Sequence, residues 1–471
     1  MNEAITPLKT EIALIGGGPV GALLACVLAQ RGFSVDVFER RPDLRTTDGT
    51  GGRSINLALS TRGLTTLKFV GLEEEVLKLA IAMRGRMIHA PSGELAFQQY
   101  GKNDSEYINS ISRSALNQLL LDHAEKSGKV RLHFKQKALS ANIANNSVRI
   151  LDDEAKQTLE WTAKLLIGCD GSASAVRNQM HSDGLSETRE DVLDYGYKEL
   201  TLPAGPDNSF QIEKNALHIW PRGTFMLIAL PNLDGSFTCT LFLPFKGENG
   251  FENLKTPDTV LAFFDKHFKD AKQLLPDLAK DFFDNPTGHM STVKCQPWNV
   301  DGRVLLLGDA AHAIVPFFGQ GMNCGFEDVM VFEQCIAGRN ENDKLEWDEI
   351  FNDFVSKRKV NTDAIADLAV ENFIEMRDKV ANTQFMLERA VEKRLQTAFP
   401  GEFFSRYRLV TFTNVPYSFA QAAGKVTDEI LKELCSQIND PAQVDMKLAE
   451  RLIKERLAPM LKRQPELAEV L

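Results

Sequence analysis

Gly16-Gly17-Gly18-Pro19-Val20-Gly21 places glycine at the spacing G-x-G-x-x-G, and Glu39 follows at the distance expected of a ribose-binding carboxylate. Gly16 permits a tight turn, Gly18 lets backbone N–H groups approach a pyrophosphate, and Gly21 allows a helix and a strand to touch. A second group with related logic lies far downstream. Asp309 ends the apolar run GRVLLLGD, and Gly319-Gln320-Gly321-Met322-Asn323 follows it. Asp309 is placed to accept a hydrogen bond from a polyol hydroxyl. Backbone N–H groups at Gly321, Met322 and Asn323 would face an electron-rich ring edge, where the positive end of a helix dipole favours negative charge.

Each group has a plainer reading: a tight turn that binds nothing for the first, a helix-capping aspartate for the second. Together they point to one long dinucleotide. The glycine turn alone does not separate NAD from FAD, but FAD spans a sheet, with its adenosine at one strand end and its ribityl chain and flavin at another. Arg113 opens the helical stretch SRSALNQLLLDHA and could donate to the pyrophosphate from the side opposite the glycine turn, or be a surface arginine. Gly168-Cys169-Asp170-Gly171 ends another apolar run and would shape the cofactor rim or reverse the chain. His312, three residues beyond Asp309, is read as structural or cofactor-side rather than as an acid or base.

These residues need strand ends to hold them. EIALI, then GALLACVLAQRG with helical spacing, then SVDVFER read as a βαβ unit. AKLLIGCDG and GRVLLLGDA are compact strands that stop at Gly/Asp pairs, as where parallel strands meet a ligand. From about Tyr195 to Phe245, ALHIW, FMLIAL and SFTCTLFLPF are separated by PRG and PNLDG, which predicts consecutive antiparallel strands. Beyond Phe326 the chain reads as helical, and from Glu371 ENFIEMRDKVANTQFMLERAVEKRL runs on without Gly or Pro. The expected fold is α/β: a Rossmann-like FAD-binding domain (1–190 and 291–370), an interposed antiparallel substrate-domain sheet (191–290) and a helical C-terminal region (371–471).

Composition narrows the function classes. At 471 residues the chain exceeds one ordinary core, at about 150 residues per domain. Apolar residues at 43% and charged residues at 25% are those of a globular protein. A net charge of −10 disfavours a nucleic-acid surface. The seven cysteines lack zinc or disulfide spacing and read as reduced thiols. There is no apolar run of 18 residues and no leader-like start, so no integral membrane segment is expected and the location reads as cytoplasmic. The final amphipathic stretch should pack on the body of the protein, because Lys and Arg do not dominate its polar face.

Taken together, the glycine turn with Glu39, GCDG and GDAAHAIVPFFGQGMN resemble the three fingerprints of the single-component flavin aromatic hydroxylases. GGRSINLALSTRG, MRGRMIHAPSGELAFQQYG, YKEL, NALHIWPRGTFMLIALPNLDGSFTCTLFLPF, ENFIEM and RYRLVTFTNVPY resemble the branch of that family acting on L-kynurenine. The resemblance implies tightly bound FAD, NADPH as a transient co-substrate without its own Rossmann domain, and insertion of one oxygen atom from O₂ ortho to the ring amine through a flavin C4a-hydroperoxide. It places Pro19, Val20, Arg40 and Ala58 among the cofactor contacts. It makes Arg84 the ligand of the substrate carboxylate, with Tyr100, Asn372 and Tyr407 completing the head-group site. It lines the ring pocket with Leu217, Met226, Ile228, Leu230, Phe242, Pro316 and Phe317, residues whose plainer role is core packing. No indispensable protein acid or base is expected, because the substrate amine already activates the ring. Two other readings compete: a related hydroxylase acting on another anthranilate-like or phenolic acid, and a Rossmann-type binding protein without a redox cofactor.

Overall fold

The computed structural model describes residues 7–46, 56–101, 106–339, 345–375 and 383–467. Its centre is an eight-stranded sheet in which Val304–Leu306, Gln157–Gly168, Leu8–Ile15, Val35–Phe38 and Val130–His133 lie side by side and parallel. Val35–Phe38 and Val304–Leu306 are buried throughout, as strands covered on both faces must be. Helix Pro19–Gln30 starts with Pro in its first turn, where a missing N–H costs nothing, and ten of its residues are buried. It packs against helices Arg113–Lys126 and Gly321–Ala337.

The second sheet has seven strands, in the order Thr287–Gln296, Glu187–Leu202, Phe237–Pro244, Met226–Pro231, Ala216–Pro221, Gly85–His89 and Leu95–Gln99. All neighbours are antiparallel except Ala216–Pro221 beside Gly85–His89. Thus the sheet takes in chain from 85–99 as well as from 187–296. Alternation sorts its side chains. Trp220, Leu227, Ala229, Phe237, Cys239, Leu241 and Leu243 join one core with Phe263, Phe264, Leu278 and Phe282 of the helices that follow. Met226, Ile228 and Leu230 point the other way, Met226 opposite Phe242 and Ile228 opposite Ile219. A small third sheet (Asn56–Leu59, Ile108–Ser112, Ala80–Met83) completes the strands.

Helices Trp347–Ile374, Thr383–Ala398, Arg406–Phe412 and Tyr417–Cys435 form the C-terminal body, with one core shared by Ile365, Leu395, Phe404, Leu409 and Ile430. Residues 376–382, within the run from Glu371 that reads as helical, lie outside the described residues. In the final amphipathic stretch Leu452, Ile453, Leu457 and Leu461 are at most 2% exposed, so its apolar face is packed on the protein. Each such side chain contributes about 1.5–3 kcal/mol. Among the described residues no helix is long and apolar enough to cross a membrane.

Candidate active site

Three motifs distant in sequence emerge at one edge of the central sheet because their strands are in register. Ile15 pairs with Gly168, and Gly168 with Leu306. The turns Gly16–Gly18, Cys169–Gly171 and Gly308–Asp309 therefore leave the sheet together. Gly16 has φ +104°, and a Cβ there would stand 2.4 Å from the Cys169 carbonyl oxygen; at Gly21 it would stand 2.1 Å from the Gly16 oxygen. Chain packing demands glycine at both positions. A Cβ at Gly18 would meet nothing within 4 Å. The open space at Gly18, beside a helix N-terminus with no side-chain cap, is a cradle of the kind a pyrophosphate fills.

Glu39 closes this turn: its carboxylate accepts from Gly17 N at 3.0 Å and from Arg41 N at 2.9 Å, leaving further lone pairs for ribose hydroxyls. Arg40 beside it is exposed. Val20 is a packing residue, its methyls lying where side chains on Gly308 and Gly325 would go. Asn117 donates to Gly17 O at 3.0 Å and so docks the helix that Arg113 opens against the glycine turn. Arg113 is exposed. It acts on Asp309, which is exposed on the cleft floor yet desolvated by its walls. Desolvation raises the Asp309 pKa, while His312 and Arg113 oppose the rise.

At the far end of the cleft, Gly319 adopts φ +66° and turns the chain into helix Gly321–Ala337, whose N-terminus also lacks a side-chain cap. Gln320 accepts from the Tyr417 hydroxyl at 2.9 Å. Asn323 is wholly buried and ties the small sheet to this helix: it donates to Ala58 O and Gly319 O and accepts from Ser60 N, at 2.8, 3.0 and 2.9 Å. What Gly321, Met322 and Asn323 can offer a ring edge is backbone N–H. The donor set, the open cradle and the Asp309 carboxylate between them fit FAD.

His312 belongs to a buried charge network. Its Nε2 donates to Asp328, which also accepts from Gly308 N at 3.0 Å and from Arg358 Nε at 2.7 Å. Arg358 and Arg62 share Glu327, each at 2.6 Å. Burial works against the His312 charge, but Asp328 outweighs it and holds the imidazole well above its usual range. The same contacts hold Asp328 below its usual range despite burial. His312 is thus an imidazolium that, through Asp328, fixes the turn carrying Asp309. No sequence spacing announces this network.

The substrate side is built on the seven-stranded sheet. Arg86 pairs in register with Leu217, so it shares the face of Leu217, Met226, Ile228, Leu230 and Phe242. Its guanidinium lies 5.4 Å from the Tyr100 ring and 4.4 Å from the Tyr407 ring, and those two rings stack at 5.8 Å. Arg86 Nε and the Tyr100 hydroxyl are buried with no hydrogen-bond partner among the described residues. Desolvation pushes the Tyr100 hydroxyl above its ordinary pKa, so it stays a donor. Leu217, Ile228, Leu230, Tyr100, Tyr407 and Ala58 form one apolar cluster with Met83, Ile108 and Phe412. Phe242 lies 5.3 Å from Phe317, which lies 4.6 Å from Phe373, and Asn372 donates to Phe317 O at 2.7 Å, holding the segment that contains exposed Pro316.

Arg84 enters differently from the sequence expectation. Its N–H donates to Asn215 O at 2.8 Å and its carbonyl accepts from Tyr100 N at 3.0 Å, framing the pocket through its backbone. The guanidinium against both tyrosines is that of Arg86, which sequence reasoning passed over. The signal was present, since MRGRM offers two arginines, but only the strand register selects between them. A separate cavity of about 490 Å³ is lined by Ser112, Ser114, Glu199, Thr201, Pro231 and Leu233 among others, and contains none of the residues expected to hold the substrate.

Comparison with known proteins agrees with this geometry. A family model described as an FAD binding domain matches residues 9–338. The kynurenine 3-monooxygenase of Myxococcus xanthus (strain DK1622) is 52% identical over 462 residues, 98% of this chain and 98% of that one. That of Dictyostelium discoideum is 44% identical over 460 residues, 96% and 99% of the two chains. Among solved structures, tetrameric 2-methyl-3-hydroxypyridine-5-carboxylic acid oxygenase shares the fold, with a TM-score of 0.63 at 20% identity over 80% of this chain and 94% of that one. PqsL of P. aeruginosa, solved with 2-aminobenzoylacetate, shares it too, with a TM-score of 0.61 at 17% identity over 79% and 97%. The three turns at one sheet edge, the matched FAD-binding region and the near full-length identity lead to one conclusion: the chain is an FAD-dependent monooxygenase and belongs to the kynurenine 3-monooxygenase family.

Proposed function

We propose that the chain hydroxylates L-kynurenine to 3-hydroxy-L-kynurenine, consuming NADPH, a proton and O₂ and releasing NADP⁺ and water. The observation that carries this reading is the buried, unpartnered pair Arg86 Nε and Tyr100 hydroxyl at the edge of an apolar sheet face. Buried donors without partners are costly, and an α-amino acid carboxylate would satisfy both. The two relatives' names point to the same substrate.

Reduced FAD, when bound, would supply the activation of O₂ and the delivery of one oxygen atom to the ring. The protein's part is positioning. Arg86 holds the carboxylate, and Tyr100 and Tyr407 complete the head-group site. Leu217, Met226, Ile228, Leu230, Phe242 and Phe317 hold the ring and exclude water. Asn372 secures Phe317 over them. No protein general base is needed, because the ring amine supplies the electron density. In this reading 1–190 and 291–370 hold FAD, except that strands Gly85–His89 and Leu95–Gln99 join 187–296 in the substrate sheet, and 371–471 covers the site. The seven free, buried thiols suit a reducing, cytoplasmic setting.

Anaerobic mixing of the flavin-loaded protein with NADPH, with and without L-kynurenine, tests cofactor, reductant and substrate together. L-kynurenine should accelerate flavin bleaching, and in air each NADPH should yield one 3-hydroxykynurenine. Bleaching indifferent to L-kynurenine but accelerated by another anthranilate-like or phenolic acid would overturn the substrate.

A further inference from the structure

Behind Arg86, on the opposite face of the same sheet, runs a continuous hydrogen-bonded chain. His89 Nδ1 lies 3.0 Å from Asp270 Oδ2, His89 Nε2 lies 2.9 Å from His218 Nδ1, and His218 Nε2 lies 2.8 Å from the Glu213 carbonyl oxygen. Trp220 Nε1 donates to the same Asp270 oxygen at 2.7 Å, and its ring stacks on His89 at 3.9 Å. Both imidazoles are buried, His89 at 5% exposure and His218 at 1%.

Counting protons along this chain gives a definite result. The Glu213 carbonyl can only accept, and the Asp270 carboxylate has no proton to give. Three contacts strung between two such ends require three ring protons. Two neutral imidazoles carry two, so one contact would set acceptor against acceptor. A proton on Asp270 would complete the count with both rings neutral, but that carboxyl does not carry one. Burial raises that carboxyl's pKa, but the Trp220 and His89 bonds outweigh burial and keep it ionised.

We infer that His89 and His218 together bind a single proton, borne by His89 against Asp270, and that this proton ties strand Gly85–His89 to strand Ala216–Pro221 so that Arg86 is held in position for the substrate carboxylate. The residues are positioning residues, and the inference rests on the reading of Arg86 given above. Strand register supports the link, since Met87 pairs with His218 and Arg86 with Leu217. The proton arrives from solvent by way of Asp270, whose side chain is 43% exposed.

The charged groups facing the pair are few. Asp270 comes from helix Lys269–Gln273, Arg222 from the turn after Ala216–Pro221, whose guanidinium donates to His89 O at 3.0 Å, and Glu213 from the loop before that strand. Phe237 adds an apolar ring edge 5.6 Å from His218. Burial lowers the His89 pKa, Asp270 raises it and Arg222 lowers it, so the proton binds on the acid side of an ordinary histidine. Burial, with His89 adding to it, pushes His218 down to about 4, so a second proton does not follow. Because the folded-state value is depressed, protonation lowers global stability as pH falls even while it completes the local chain. Melting temperature is therefore not the readout.

Two measurements on the FAD-loaded protein test the inference. Long-range ¹H–¹⁵N spectra of ¹⁵N-histidine protein, assigned with His89→Asn and His218→Asn, should show one ring gaining a second N–H between pH 8 and pH 5. The other ring should keep a bare Nδ1 and a protonated Nε2. Two rings neutral down to pH 5, or two becoming doubly protonated together, would overturn it. Over the same range the KM for L-kynurenine should rise about two- to tenfold as the proton leaves, the scale of one hydrogen bond, with kcat unchanged. In His89→Asn the profile should be flat. A flat wild-type KM alongside the expected spectra removes the positioning role. If L-kynurenine is not turned over at all, the substrate reading fails while the spectra still decide the proton.

Discussion

The Arg86 guanidinium lies 4.4 Å above the Tyr407 ring, joining strand Gly85–His89 to the C-terminal helix Arg406–Phe412. This contact places a positive charge on the apolar face where a substrate carboxylate would end. Charge-assisted hydrogen bonds of this kind are worth about 1.5–3 kcal/mol. Arg86→Met should therefore raise the KM for L-kynurenine about 10- to 100-fold while changing kcat little. Arg84→Met should change it about threefold or less, because the guanidinium lying against both tyrosine rings is that of Arg86. Steady-state kinetics on the two variants side by side decides between the arginines; a larger effect at Arg84 would reverse the assignment.

Tyr100→Phe separates binding from folding. Its hydroxyl is buried without a partner, so removing it costs the empty protein no hydrogen bond and relieves a desolvated group. The variant should melt at or slightly above the wild-type temperature, yet bind L-kynurenine about five- to tenfold more weakly. A clear loss of melting temperature would mean that the hydroxyl is already engaged within the fold.

Gly16 and Gly18 look alike in sequence and should behave oppositely. Gly16→Ala drives a Cβ into the Cys169 backbone at 2.4 Å and imposes an unfavourable positive φ, so yield and stability should fall. Gly18→Ala meets only open space, so the protein should fold normally but retain about tenfold less FAD, read as flavin absorbance per chain. Full flavin retention in folded Gly18→Ala protein would mean the cradle is not where the pyrophosphate lies.

The sequence made the cofactor half of the site more legible than the substrate half, for a physical reason. Turns such as Gly16–Gly21 and Gly308–Asp309 are local: backbone geometry restricts residue types at fixed spacing, and parallel strands bring the turns together at their shared edge. Antiparallel strands at 216–221, 226–231 and 237–244 were likewise legible from alternation and turn residues. What stayed hidden was register between distant segments. That strand Gly85–His89 lies beside Ala216–Pro221 decides which of two arginines reaches the pocket, and no local pattern encodes it. The partners of His312 were invisible for the same cause: Asp328 and Arg358 lie on different helices, and ordinary helical charges look the same in sequence.

Asp328→Asn exposes what that network does. In the wild type, Asp328 is held below its usual pKa, so its contribution is present above the unfolded value and lost only as pH falls through the lower folded value. His312 is held above its usual pKa, so its contribution is full below the unfolded value and is lost progressively as pH rises from there through the higher folded one. The pair's contribution is therefore full from about pH 5 to 6 and declines above about pH 6.5, where the unfolded chain releases its histidine proton while the native protein keeps it. Removing the carboxylate leaves His312 buried without its counter-charge and Gly308 N with a weaker acceptor, at a cost of about 3 kcal/mol. Burial then depresses the His312 pKa, the unfolded chain takes up a proton that the native protein does not, and stability falls as pH drops from 7 to 5. Urea unfolding of both proteins at several pH values should show a lower midpoint for Asp328→Asn at every pH and the acid slope as the added feature of the variant. Parallel curves would show that His312 is neutral in the wild type, and Asp328 could not then be holding the Asp309 turn as half of an ion pair.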